Sequence, residues 1–84
     1  MSEFTWTGNA KVMFDESLKA APLPFRNVTK KGLTNGLTKV VGDGGEVHEE
    51  DVVRAIKETT PAPFIGIGLK AVAPFLSDPT LLDR

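Results

Sequence analysis

Proline- and glycine-rich breaks divide this chain into segments of the length of single helices. Pro22 and Pro24 form the first break, the Gly-Asp-Gly-Gly run at residues 42–45 forms the second, and Pro61 and Pro63 form the third. Proline lacks the backbone N–H that a helix interior needs, and glycine is a weak helix former. Any helix of this chain is therefore expected to lie between two of these breaks.

Hydrophobic periodicity predicts a helix in each of the first three segments. Apolar residues recur at helical spacing over residues 8–20, 25–41 and 49–59. Thr7 is the expected N-cap of the first helix, and acidic residues at 49–51 suit the positive end of the third helix dipole. The predicted fold class is all-α, a small three-helix domain.

Two glycines inside the second predicted helix are unusual for a helix interior. Gly32 and Gly36 lie one turn apart, and each costs about 1 kcal/mol relative to alanine. Small residues at this spacing predict that another helix approaches closely at that position.

The segment at residues 64–76 is nearly all apolar or small, and it admits two interpretations. It forms either a fourth helix, entered through the prolines before it, or an extended tail. Its periodicity does not distinguish these two conformations, because nearly every position is apolar or small. We predict a helical domain at residues 1–59 and an apolar extension at 60–84. The extension packs on its own domain, contacts a protein or membrane surface, or holds an apolar ligand. The candidate partner contacts are Phe64, Ile65, Ile67, Leu69, Val72, Phe75 and Leu76.

Composition excludes several kinds of chemistry. The 84 residues include one histidine and no cysteine, so disulfides, thiolate metal sites and multi-histidine cages are excluded. Ten basic and eleven acidic residues give a net charge of −1, which provides no general attraction to nucleic acid. The apolar segment is shorter than the roughly 20 residues of a membrane-spanning helix. We expect a cytoplasmic chain with no signal peptide and no transmembrane segment, and no catalysis by the chain alone.

Two short motifs contain residue types that also occur in ligand sites. The run His48-Glu49-Glu50-Asp51 resembles a metal-ligand set, but successive helix residues point about 100° apart and do not converge on one ion. The glycine-rich run at 42–45 lacks the lysine and hydroxyl residue of a phosphate-binding loop. We interpret them as an acidic helix start and an interhelix turn.

A basic pair and the single tryptophan offer weaker binding candidates. Arg26 and Lys30 lie one turn apart and would suit a carboxylate or phosphate, although a solvated helix edge is the simpler interpretation. Trp6 precedes the first predicted helix, where an apolar residue often packs back onto the helix. We favour that packing role over a ligand platform.

The order and spacing of several of these residues resemble a known family over roughly residues 5–58. The chain resembles the small C-terminal domain of the B subunit of light-independent (dark-operative) protochlorophyllide reductase, which also occurs as a free-standing protein. A turn and an acidic helix start complete the pattern. The residues that carry the resemblance are Trp6, Thr7, Ala10, Pro24, Phe25, Arg26, Gly32, Val52 and Val53.

This resemblance implies a compact α-helical unit without chemistry of its own. The parent enzyme is an oxidoreductase of (bacterio)chlorophyll synthesis in photosynthesis, and its iron–sulfur clusters and catalytic carboxylate lie outside the small domain. No catalytic or metal-ligating residue is therefore carried over to this chain. Gly8 and Asn9 replace the acidic helix start of the family, and residues 60–84 extend beyond it. These departures point to a stand-alone relative with its own partner.

Three functional hypotheses follow. The first is an accessory module that docks on a larger redox or tetrapyrrole-handling complex, or on copies of itself, without a cofactor of its own. The second is a tetrapyrrole-binding part of a chlorophyll-synthesis oxidoreductase, in which Arg26 and Lys30 hold propionates and Trp6 or Phe25 faces the macrocycle. The third is a histone-fold-like nucleic-acid binder, suggested by residues 47–56, which the net charge of −1 disfavours.

Overall fold

Four α-helices make up most of residues 4–83, the part of the chain that our computed structural model describes. The predicted all-α fold class is confirmed. Short 3-10 helices follow α1 and α4, at Leu23–Phe25 and Ala73–Phe75, and another lies at Pro79–Asp83. The main elements are β1 (Thr5–Trp6), α1 (Ala10–Ala20), α2 (Arg26–Val41), β2 (Glu46–Val47), α3 (Glu49–Thr59) and α4 (Ala62–Val72).

The predicted boundaries of the first three helices are close to those in the structure, and the difference is largest at the start of α1. This helix begins at Ala10 rather than at residue 8, because Gly8 has a positive φ of 55° that lies outside the helical region. The predicted capping role of Thr7 is wrong. Its hydroxyl instead donates to the carbonyl oxygen of Val47 at 3.0 Å, and Asn9 occupies the cap position without a side-chain hydrogen bond.

The apolar segment forms an α-helix over Ala62–Val72, the first of its two predicted conformations. Pro61 stands at the cap position and Pro63 in the first turn, where a missing N–H breaks no intrahelical hydrogen bond. The α-helix ends before Pro74, and the chain continues as the short 3-10 helix Ala73–Phe75. The prolines therefore set both ends of α4.

Helix α3 contacts all three other α-helices, as α1 also does, and its packing is the more extensive of the two. Its buried stripe is formed by Val52, Val53, Ala55 and Ile56. The most extensive packing occurs in two pairs, α2 against α3 and α1 against α4. The fully buried large side chains of the core are Met13, Leu33, Leu37, Val47, Val52, Ile56 and Val72.

Full burial of Val72 places α4 in the same core as the first three helices. Leu69, Phe75 and Leu76 are partly buried and pack against that core. Residues 69–76 of the predicted extension therefore cover the helices that precede it. A large part of its apolar surface is shielded within the chain itself.

Two short strands join the N-terminal segment to the chain before α3. Thr5 and Trp6 pair in parallel with Glu46 and Val47. The backbone N–H of Thr7 extends the pairing by donating to the Val47 carbonyl at 2.9 Å. Pairs of this length leave no alternating pattern in the sequence, so periodicity did not predict them.

The close helix approach predicted from the two glycines of α2 is found at Gly36. A Cβ atom added there would lie 2.8 Å from Thr59 Cγ2 and 3.5 Å from Ala55 Cβ, both on α3. A Cβ atom at Gly32 would meet only Thr59 Cβ, at an ordinary distance of 3.8 Å. The absence of a side chain at Gly36 is therefore what lets α2 and α3 pack at this distance.

Alanine substitutions at these two glycines should have opposite effects on stability. Gly32→Ala should raise the free energy of unfolding by up to about 1 kcal/mol, because alanine is the better helix former. Gly36→Ala should lower it by about 1 kcal/mol, because the added methyl group overlaps Thr59. Urea denaturation of both variants measures the difference, and Thr59→Ser should recover the loss in Gly36→Ala. Equal stabilisation by both alanines would contradict the close approach.

Candidate functional site

An apolar groove of about 420 Å³ lies between α2 and α4. The end of α1 and Pro22 close it on one side, and Pro61 lies at the junction of α3 and α4 on the other. Leu33 and Ile56 form its floor, and both are almost fully buried. The large side chains that define this apolar groove are Phe25, Val28, Leu33, Ile56, Phe64 and Ile67.

The walls of the apolar groove expose large hydrophobic side chains to solvent. Val28 is 68% exposed and Phe25 is 60% exposed on the α2 side. Ile67 is 52% exposed and Phe64 is 50% exposed on the α4 side. Exposed apolar residues that stand alone are ordinary in folded proteins, whereas several around one concave surface indicate an interaction site.

Small residues keep the apolar groove open. Gly32 on α2 and Gly68 on α4 both line it without a side chain to fill it. A Cβ atom at Gly68 would already lie 3.1 Å from Ile56 Cγ2 in the floor. The groove is therefore a property of the sequence of its two walls, in which glycines lie between exposed aliphatic and aromatic residues.

The structure divides the seven partner-contact candidates. Phe64 and Ile67 line the apolar groove. Val72 is fully buried and is corrected to a core residue, because no partner reaches it in the folded chain. Leu69, Phe75 and Leu76 pack partly buried on the core, and Ile65 is half-buried.

The α2 wall of the groove was not among the predicted partner contacts. Phe25 and Val28 lie three residues apart at the start of a helix whose buried residues are Leu33, Gly36 and Leu37. The apolar arc of this helix is wider than one core-facing stripe. That excess width was the signal in the sequence that part of the arc faces solvent.

Arg26, a candidate for binding propionate, is occupied by the end of α1. Its Nε donates to the Leu18 carbonyl at 3.1 Å, and its Nη2 donates to the carbonyls of Ala21 at 3.2 Å and Lys19 at 3.3 Å. The last carbonyls of a helix have no intrahelical partner, and a guanidinium satisfies several of them at once. Arg26 thus joins the start of α2 to the end of α1.

The other tetrapyrrole candidates do not form one site. The Trp6 ring is half-buried, with its centroid 5.1 Å from that of Phe14, which confirms the packing role predicted for it. Lys30 is exposed and does not line the apolar groove. Of these candidates, Phe25 lines the groove.

The acidic start of α3 forms a polar cluster with the residues that precede α1 and follow the 3-10 helix after α4. The Glu49 carboxylate accepts hydrogen bonds from the Ser77 N–H at 2.7 Å, the Ser77 hydroxyl at 2.8 Å and the Asn9 N–H at 3.2 Å. Asn9 Nδ2 also donates to the Phe75 carbonyl at 2.7 Å. A shallow, open depression of about 300 Å³ lies beside this cluster.

The hydrogen bonds to Glu49 determine the direction of its pKa shift. Partial burial raises the pKa of this carboxyl, but the backbone and hydroxyl groups of Ser77 and the backbone of Asn9 lower it, and the net pKa is below its ordinary value of 4.5. The His48 N–H also donates to Asp51 Oδ2 at 2.9 Å in a capping box. The predicted acidic helix start is confirmed.

Within residues 4–83, no group of three or more His, Asp or Glu side chains is placed to hold a metal ion. No helix in that range has the length and apolar character needed to cross a bilayer. Comparison with protein-family models, with curated proteins and with solved structures found no match to this chain.

Acidification should remove the stability that Glu49 contributes. Because the pKa of its carboxyl is lowered by folding, the ionised group stabilises the fold above pH 4.5, and this contribution is lost as the pH falls through the folded-state value. Glu49→Gln should therefore be less stable than the parent at neutral pH, and the gap should narrow at acidic pH.

Thermal unfolding between neutral and acidic pH measures this effect. Asp43→Asn is the matched control, because it removes a carboxylate from the exposed turn before β2. A gap between Glu49→Gln and the parent that stays constant with pH would contradict the role assigned to Glu49.

Proposed function

We propose that this chain is a non-catalytic interaction module and that its apolar groove binds a segment of a partner protein. The observation that carries the proposal is the exposure of Phe25, Val28, Phe64 and Ile67 around one concave surface. Fully burying one such side chain is worth about 1.5–3 kcal/mol. The free energy released when a partner covers several of these side chains offsets part of the entropic cost of association.

The resemblance of residues 5–58 supports a narrower proposal about the partner. The small domain of protochlorophyllide reductase is part of a larger oxidoreductase and contributes no cluster ligand to it. By analogy, the partner of this chain would be a larger redox or tetrapyrrole-handling protein. Such a role needs a docking surface on this chain and no catalytic group.

A tetrapyrrole ligand is the second candidate for the same groove. Phe25 lines it and would stack on a macrocycle, and its volume of about 420 Å³ lies within the usual range of ligand pockets. The engagement of Arg26 with the carbonyls of α1 makes this candidate weaker, because a propionate would have to displace three hydrogen bonds.

Substitution of one groove residue should remove partner binding without unfolding the chain. Ile67→Asp places a charge on a wall that is already half-exposed, so helical circular dichroism should persist while docking is lost. Val12→Asp is the matched control, because Val12 is an exposed apolar residue of α1 outside the groove. Point substitutions are preferred to truncation, because α4 contributes Val72 to the core.

Native co-purification with the parent and both variants, followed by mass spectrometry, is the measurement. We expect one partner to be retained by the parent and by Val12→Asp and lost with Ile67→Asp, and the purified partner should reproduce this order of binding. Retention of the same partner by all three chains would overturn the proposal.

Titration with haem or protochlorophyllide tests the second candidate. Binding in the groove predicts a shift of the tetrapyrrole absorbance with the parent and with Val12→Asp, and none with Ile67→Asp. A spectrum that none of the three chains changes would remove this candidate.

A further inference from the structure

The two helices that form the walls of the apolar groove carry basic side chains and no acidic ones. Helix α2 has Arg26, Lys30, Lys31 and Lys39, and α4 has Lys70. Neither helix sequence contains an aspartate or a glutamate. Positive charge is therefore concentrated on these two helices, although the net charge of the whole chain is −1.

Two of these lysines are placed beside the exposed apolar residues of the groove. Lys31 follows Val28 by three residues on α2, and Lys70 follows Ile67 by three residues on α4. Residues at this spacing are neighbours on a helix surface. Both lysines are exposed, so each wall has a cation next to its exposed aliphatic side chain.

The acidic residues of the chain are concentrated elsewhere. Residues 43–51, which include β2 and the start of α3, contain five acidic residues and no lysine or arginine. This run is therefore separate from the two walls, although Glu16 and Glu58 adjoin the lining residues Ser17 and Thr59 in sequence. The lining of the groove carries no charged side chain, and Lys31 and Lys70 lie about one helical turn from Val28 and Ile67 at its edge, so a ligand wider than the groove meets positive charge beside it.

From this arrangement we propose that the groove binds an amphipathic helix whose apolar stripe is flanked by acidic side chains. The inference rests on the function proposed above and specifies the partner segment. Residues 25–32 of α2 span about 10 Å, close to two turns of a bound helix. Apolar anchors at positions i, i+3 or i+4, and i+7 of the partner would enter the groove. Its acidic flanks would face Lys31 and Lys70.

The same observations disfavour two other occupants. A second copy of the chain packed wall to wall would bring the Lys31 and Lys70 rims together, and like charges across an interface are costly. A flat lipid surface would cover the walls but leave the floor unfilled, because Leu33 and Ile56 lie almost fully buried beneath them. Side chains that project from a helix fill such a floor.

Two labelled synthetic peptides test the proposal against the full chain. Both are about 15 residues long, the length at which an isolated helix begins to be populated, and both carry the same leucine stripe. One has glutamate on the flanks and the other has lysine. Fluorescence anisotropy should show that the glutamate peptide binds about tenfold more tightly, because attraction replaces repulsion at two exposed lysines. Added salt should reduce this ratio.

Charge-reversal variants identify the lysines responsible. Lys31→Glu combined with Lys70→Glu should invert the preference between the two peptides. Lys39→Glu combined with Lys70→Glu is the matched control, because it changes the net charge equally but moves one substitution about 9 Å along α2 beyond Leu33, the last residue of that helix that lines the groove. The control should lose only part of the preference.

Each outcome separates this inference from the proposed function. If both peptides bind equally and Ile67→Asp abolishes their binding, the preference for acidic flanking residues is contradicted, while docking in the groove is still supported. Binding of neither peptide would overturn this inference, and co-purification would still decide the proposed function. Two further results would also overturn it. One is binding to phosphatidylserine vesicles without a peptide preference. The other is a dimer, detected by light scattering, that Ile67→Asp alone dissociates.

Discussion

Burial of the apolar stripe of α3 is the interaction on which the rest of this fold depends. Helices α1, α2 and α4 each contact α3, and its buried residues include Val52, Val53, Ala55 and Ile56. A chain of this size has one core, so a helix that touches every other helix carries a large share of it. Because α3 is only 11 residues long, it offers a limited surface for the other three helices to pack on. The missing side chain at Gly36 brings α2 close to it.

The apolar groove follows from the same packing. Helices α2 and α4 both pack against α3, and the buried side chains of Leu33 and Ile56 form the floor between them. Glycines occupy the wall positions where larger side chains would have filled the space. The chain therefore keeps a cohesive core around α3 and exposes aromatic and aliphatic groups at its edge. A surface of this kind is energetically useful only when something covers it.

The sequence predicted the helices better than it predicted the exposed surface. Proline positions and periodicity placed three helices to within two residues, because both signals are local. Periodicity could not decide the state of residues 64–76, where almost every position is apolar, and the structure shows that Val72 completes the core. The pairing of Thr5 and Trp6 with residues some forty positions away produces no local pattern in the sequence. Val28 was not predicted, and Phe25 was predicted only as a tetrapyrrole contact, because exposure depends on where neighbouring helices end.

The Glu49 carboxylate has a consequence for how this unit could be joined to other proteins. It binds the backbone of Asn9 before α1 and of Ser77 after α4, so the points where the chain enters the first α-helix and leaves the last one lie next to each other. Adjacent entry and exit points let a folded unit sit as an insert in a surface loop of a larger polypeptide, or be circularly permuted, with little strain. The same four helices would then suit either a free-standing protein or a module within a longer chain.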